Sequence, residues 1–254
     1  MADEILRQRT GHIEVLTINR PEARNAINLA TAEALGSALD EIEADDECWV
    51  VVLTGAGDKA FSAGMDLKAF ASGEFPITEK GFGGITKRDF PKPLIAAVNG
   101  SALAGGFEMM LSCDLVVAVD HAKFGIPEAA RGLIAGAGGL IRLPKRVPMA
   151  VALELALTAA PIDATKALSI GLINRVVPGD KLMEEAMALA EQIAKNAPLA
   201  VRVSKQVMRD AAQMTEAEAW GVNDSAFGAI GRSGDAMEGA IAFAEKREPN
   251  WTGS

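Results

Sequence analysis

Two glutamates and two turns of small residues are the groups in this 254-residue chain whose types and spacing suit catalysis. Glu108 closes the stretch Asn99-Gly-Ser-Ala-Leu-Ala-Gly-Gly-Phe-Glu, which lies between the apolar run 94–98 and Met109-Met-Leu-Ser-Cys113. The pattern predicts a buried strand, a tight turn and a helix. A helix start leaves backbone N–H groups free, and with the helix dipole behind them they can hold a developing negative charge. Glu108 then falls in or near the first turn, within reach of whatever is bound there. Plain architecture explains the same residues, since Gly105-Gly106 permits close helix–sheet packing and a first-turn glutamate is favourable in itself.

A second donor is offered by Phe61-Ser-Ala-Gly-Met-Asp-Leu67, where the Met65 N–H precedes a short helix expected over 66–71. Asp66 equally fits a simple helix cap. Glu128 stands between Pro127 and Ala129 with the Gly-rich run 132–139 behind it, a setting that also suits a solvated loop. Two N–H donors converging on one oxygen stabilise an enolate-like oxyanion. Two carboxyls in dry surroundings can divide the acid and base roles. Whether the four groups meet is a tertiary question.

The elements that must position them follow from periodicity. Residues 5–9 and 13–19 alternate around Thr10-Gly11 and predict a β-hairpin. Residues 29–44 have helical spacing, with Ala34, Leu35, Ala38, Leu39 and Ile42 on one side. The continuous apolar runs 49–53 and 94–98 predict buried parallel strands, with a further strand over 114–119 and a short one within 123–128 that turns at Pro127. Residues 72–84, Gly-rich and carrying Phe75-Pro76, are expected to be a mobile segment able to shape a pocket. From Arg142 onward helices dominate, at 149–157, 164–170, 181–195, 200–213 and 236–246, with strand character only at 173–177. Strands alternating with helices followed by helices alone predict an α/β core over 1–195 and a helical region over 196–254.

Composition narrows the function. Hydrophobic residues make up 49% and charged ones 23%, which predicts a packed core. A formal charge of −9 without a basic run argues against nucleic acid as a partner. Cys48 and Cys113 show neither a disulfide framework nor metal spacing, and His12 and His121 are the only histidines, so no metal site is expected. The start Met-Ala-Asp-Glu lacks signal-peptide character and no apolar run reaches membrane-spanning length, giving a cytoplasmic expectation with no membrane partner.

Seven segments, in order, carry a resemblance: Asn19-Arg-Pro-Glu-Ala-Arg-Asn-Ala26, Leu53-Thr-Gly-Ala-Gly57, Phe61-Ser-Ala-Gly-Met-Asp-Leu67, Ala97-Val-Asn-Gly100, Ala104-Gly-Gly-Phe-Glu108, Phe124-Gly-Ile-Pro-Glu128 and Phe243-Ala-Glu-Lys246. Through them the chain is similar, along essentially its whole length, to the enoyl-CoA hydratase/isomerase (crotonase) superfamily. The resemblance implies an α/β spiral of ββα units with a helical C-terminal trimerisation region, assembled as a homotrimer or dimer of trimers. It implies acyl-CoA thioester substrates and no cofactor, coenzyme A being part of the substrate. By position, the N–H groups of Met65 and Gly105 match the oxyanion hole. Arg24, Ala26, Ala63, Asp66, Leu67 and Lys68 match the CoA-binding positions. Phe243 and Lys246 match residues that close the site, from the same or a neighbouring subunit.

Both glutamates of the hydratase pattern, Glu108 and Glu128, are present. The implied reaction is reversible syn addition of water to a trans-2-enoyl-CoA, as in fatty-acid β-oxidation. Leu103-Ala104-Gly105 and Ala129-Ala-Arg131 depart from the commonest continuations, and Phe61–Lys68 and Phe243–Trp251 resemble the carnitinyl-CoA dehydratase branch. A trimethylammonium substrate calls for a carboxylate or an aromatic cage. The chain has no Tyr, and its aromatic candidates near the variable segment are Phe70, Phe75, Phe82 and Phe90, which favours an ordinary enoyl-CoA. Carnitinyl-CoA dehydration, enoyl-CoA isomerisation on Glu128 alone, and non-catalytic acyl-CoA binding are the alternatives.

Overall fold

Continuous apolar runs build the centre of the molecule, because a parallel strand covered on both faces has no polar side to show. The computed structural model describes residues 3–254. The hairpin of β1 (Ile5–Thr10) and β2 (Ile13–Ile18) forms as expected around Gly11. Asn28 caps α1 (Leu29–Ala44), its side chain accepting the Thr31 N–H, and Leu35, Ala38, Leu39 and Ile42 are buried on one face. Then come β3 (Val50–Gly55), β4 (Ala60–Ser62), α2 (Leu67–Ala71) and the two-residue strands β5 (Ile77–Thr78) and β6 (Gly81–Phe82). They are followed by β7 (Leu94–Val98), β8 (Ser101–Leu103), α3 (Gly105–Ser112), β9 (Leu115–Val119) and β10 (Lys123–Gly125).

A 3-10 turn at Pro127–Arg131 leads to α4 (Gly139–Arg146), α5 (Met149–Thr158), β11 (Ile162–Asp163), α6 (Ala164–Ser169), β12 (Arg175–Val177) and α7 (Leu182–Ala194). The large sheet has the order β1-β2-β3-β7-β9-β12 and the small one β11-β10-β8-β4. Each pair β3/β4, β7/β8 and β9/β10 puts its first strand in the large sheet and its second in the small one, then continues into a helical segment. Three such turns, advancing one strand at a time, make the expected ββα spiral.

Several expectations need correction. The central turn does not run directly from strand to helix, because β8 is interposed and pairs with β4 and β10. The segment 72–84 is not a free loop: β5 pairs with β6, and residues 81–86 are buried against α1 and α3. Its glycines let the chain thread past α1, since a side chain at Gly84 would meet the Ala32 carbonyl oxygen at 2.5 Å. Helix α4 escaped prediction because Pro144 lies inside it and breaks the i→i−4 pattern.

The C-terminal helices are α8 (Pro198–Ala211), α9 (Glu216–Ile230) and α10 (Gly234–Glu245). Ion pairs from Lys205 (2.6 Å) and Arg209 (2.9 Å) to Asp114 tie α8 to the start of β9. Helix α9 went unpredicted, although Thr215 and Glu218 form a reciprocal capping box that marks its start. It buries no residue against its own chain, and Phe227 is 77% exposed. Among the described residues no helix is long and apolar enough to cross a membrane.

Candidate active site

Two backbone turns meet at the start of α3. Ala104 has φ 52° and ψ −129°, a conformation that costs an alanine energy. Gly106 lies so close to β4 that a Cβ there would fall 2.1 Å from the Ser62 carbonyl oxygen, so α3 starts hard against the small sheet. From the other turn, a Cβ on Gly64 would fall 2.8 Å from the Gly105 nitrogen. Ile27 pairs with this second turn, donating to the Gly64 carbonyl (2.8 Å) and accepting the Asp66 N–H (2.9 Å). In parallel pairing the intervening residue faces the opposite way, which leaves the Met65 N–H directed away from Ile27. Among the described residues no backbone carbonyl takes the Met65 or Gly105 N–H. The two sequence-predicted donors are thus neighbours, and free.

Glu108, on the first turn of α3, is only 3% exposed. Its Oε1 accepts the Ala137 N–H at 2.7 Å and the Gly139 N–H at 2.8 Å. Gly139 opens α4, so the carboxylate rests on a helix N-terminus. Burial pushes the Glu108 carboxyl up to about 7; the Gly139 N–H opposes the rise, the Glu128 charge adds to it, and the Ala137 N–H and Arg142 again oppose it. Such a group exchanges protons readily near neutral pH.

Glu128 is half-buried on the 3-10 turn, and its Oε2 is buried without a hydrogen-bond partner among the described residues. Burial raises its carboxyl as well, with its own backbone N–H and Arg131 opposing. A buried carboxyl oxygen without a donor disfavours the ion and favours the acid form.

The raised Glu108 value links to stability. The folded chain holds this proton above the ordinary value of 4.5, so the stabilising contribution is complete below that value and lost as pH rises through about 7. Glu108→Gln removes the titration while its amide oxygen can still accept both N–H groups. Its stability relative to wild type should therefore rise by on the order of 2 kcal/mol between about pH 5 and pH 8. Denaturant midpoints at the two pH values check this; a pH-independent difference refutes it.

The predicted CoA-binding residues form one layer beside the donors. Ala63 N–H donates to the Arg24 carbonyl at 3.1 Å, and Arg20 donates to the Ala26 carbonyl at 2.5 Å and to Asp66 at 3.0 Å. Buried Asn25 holds the layer to the next loop, donating to the carbonyls of Ala56 (3.0 Å) and Ala60 (2.7 Å). Asp66 caps α2 by accepting from Lys68 and Ala69, which commits its carboxylate to structure. Burial raises the Asp66 carboxyl, but Arg20 and those N–H groups outweigh it and hold the value low. Leu67 and Lys68 are exposed on α2, and a cavity of about 300 Å³ opens beside Arg24 and Lys59.

Phe243 and Lys246 stand apart from this layer in bonding, exposed at the end of α10 with Phe243 87% exposed. Among the described residues, no cluster of three His, Cys, Asp or Glu could hold a metal. Sequence reasoning missed the Ala137 and Gly139 donors and Ser62, and it named Phe82 only as an aromatic candidate near the variable segment, whereas its ring lies against Gly105. The Gly138-Gly139 pair ahead of a mixed apolar and basic run was the available signal for the first two.

Comparison with known proteins places this geometry in context. A family model described as Enoyl-CoA hydratase/isomerase matches residues 8–254. A carnitinyl-CoA dehydratase of Salmonella arizonae is 42% identical over 261 residues, covering 100% of both chains. The crystal structure of an enoyl-CoA hydratase from Mycobacterium tuberculosis H37Rv superposes with a TM-score of 0.96 at 46% identity, covering 99% of this chain and 100% of that one. That of a carnitinyl-CoA hydratase from Mycobacterium avium gives a TM-score of 0.81 at 47% identity, covering 100% of each.

Proposed function

This chain belongs to the enoyl-CoA hydratase/isomerase family, and on that premise we propose that it adds water reversibly to trans-2-enoyl-CoA, giving 3-hydroxyacyl-CoA. The observation that carries the reading is the pair of carboxyls raised by burial, Glu108 clasped by two N–H groups and Glu128 with a buried Oε2 that no donor meets among the described residues, beside two free backbone N–H groups. Electrophilic donors and a split acid–base pair are what hydration needs.

The thioester oxygen accepts from the Met65 and Gly105 N–H groups, which stabilise the enolate as it forms. Ionised Glu108 orients a water and takes its proton as the oxygen attacks the β-carbon. Protonated Glu128 delivers its proton to the α-carbon on the same face, and the enolate collapses to the saturated thioester. Dehydration runs the same steps in reverse. Arg24, Ala26, Ala63, Asp66, Leu67 and Lys68 hold the CoA portion, largely through backbone groups.

The acyl group is an ordinary enoyl chain in this reading. Relatives named for carnitinyl-CoA favour a second one, in which Phe70 and Phe75, edge-to-face with centroids 5.2 Å apart, meet a trimethylammonium group. A place in β-oxidation and a cytoplasmic setting complete the proposal; two buried, unpaired cysteines suit a reducing compartment.

The chain assembles as a homotrimer or dimer of trimers in the same reading, with exposed Trp220, Phe227 and Phe243 covered by neighbours. Loss of enoyl-thioester absorbance with purified protein tests the reaction. Hydration of crotonyl-CoA is expected, and turnover confined to crotonobetainyl-CoA moves the assignment to the carnitine branch. Acyl-CoA binding without hydration of either overturns the reading. Sedimentation velocity on the same sample checks assembly, and a 26.5 kDa monomer refutes it.

A further inference from the structure

A third charged group lies behind the two carboxyls. Arg142 sits on α4, one turn beyond Gly139, and its guanidinium folds back over the start of the helix. Nη1 occupies the space of a side chain at residue 138, lying 2.1 Å from where a Cβ would be, and Gly138 has φ 108°. Nη2 donates to the Thr86 carbonyl at 2.5 Å, and Nη1 reaches the Ala137 carbonyl at 3.5 Å. Ala137 is therefore held from both sides, its N–H by Glu108 and its carbonyl by Arg142. Thr86 belongs to the buried segment whose Phe82 ring lies against Gly105. One guanidinium thus joins the clasp on Glu108 to the support of the oxyanion turn.

We propose that Arg142 is a positioning residue for the hydration: it keeps the Ala137–Gly139 clasp in register on Glu108 and supplies the positive charge that steadies that carboxylate. The charged groups bearing on Glu108 are Glu128 from the 3-10 turn and Arg142 from α4. Those bearing on Arg142 are Arg209 from α8, Glu108 from α3 and Arg146 from its own helix, while the buried Cys113 thiol nearby is pushed up to about 12 and stays neutral. Arg146 is engaged by the Cys113 carbonyl (2.7 Å) and Arg209 by Asp114 (2.9 Å), so neither substitutes for Arg142 at Glu108. The kinetic consequence rests on the hydratase reading; the link between Arg142 and Glu108 does not.

Arg142→Met and Arg142→Lys in the full chain test it by two routes. In crotonyl-CoA hydration, Arg142→Met should lower kcat roughly 10- to 100-fold with KM little changed. It should also move the acid limb of the kcat profile up by about one pH unit. Arg142→Lys should return the limb towards wild type but leave kcat low, because one ammonium cannot reach Thr86 and Ala137 as a fork does. Independently of turnover, carbon NMR titration of labelled glutamates, with Glu108 identified by its loss in Glu108→Gln, should show a higher Glu108 midpoint in Arg142→Met. An unchanged midpoint and an unchanged acid limb overturn the proposal. A raised midpoint in a protein whose wild type hydrates nothing upholds the Arg142 link and fails the hydratase reading instead. If Arg142→Met does not fold, Arg142→Gln serves for both routes.

Discussion

Glu108→Gln and Glu128→Gln are each expected to lower kcat for enoyl-CoA hydration by roughly 10²- to 10⁴-fold, with KM nearly unchanged. The substitution keeps volume and shape. At 108 the amide oxygen can still accept the Ala137 and Gly139 N–H groups, so the clasp survives while the proton acceptor is lost. At 128 the variant lacks the proton destined for the α-carbon. Because each carboxyl serves a different half of one addition, the double variant should be little slower than either single one. Steady-state kinetics beside a melting curve checks both points. Turnover near wild type in either variant rejects its role. A Glu108→Gln enzyme that still converts 3-enoyl-CoA to 2-enoyl-CoA, from a wild type that adds no water, makes this an isomerase working on Glu128.

The second large effect is architectural. Gly106→Ala should lower Tm by about 5–10 °C and cut kcat by roughly 10²-fold even where the protein remains folded. The new methyl would lie 2.1 Å from the Ser62 carbonyl oxygen and 2.7 Å from its carbon, and neither atom belongs to a side chain that can swing aside. Helix α3 must move off the small sheet, carrying with it the adjacent Gly105 N–H and, within the same turn, Glu108. Gly179→Ala is the control, since its methyl would meet His121 at an ordinary 3.5 Å. Equal melting and equal turnover for the two variants would sink the claim that close approach at Gly106 sets the oxyanion turn.

What could be read from sequence was local and repetitive. Residues 29–44 carry sixteen positions of helical spacing, and α1 spans Leu29–Ala44 as predicted. The run 94–98 is apolar throughout because β7 is buried on both faces. The donor at Met65 and free N–H groups at the start of the helix before Glu108 were legible for a related reason: a small-residue turn before a helix exposes N–H groups whatever packs around them, and the family resemblance singled out Gly105 among them. Seven short segments in order were enough to point to the family and to both glutamates.

Tertiary structure alone decided the rest. β4 and β8 have three residues each, too short for any period, yet they are strands of the second sheet against which α3 rests. The glycines of 81–86 suggest a loose loop when read singly, and become buried only because α1 and α3 close over them. Glu108 takes its working environment from residues 29 and 31 positions away, Ala137 and Gly139, and from Arg142 beyond them. A carboxyl's proton affinity is set by the dielectric and the dipoles around it. Those are supplied by chain segments that only folding brings together, so the sequence could name the two glutamates, and their environments await the fold.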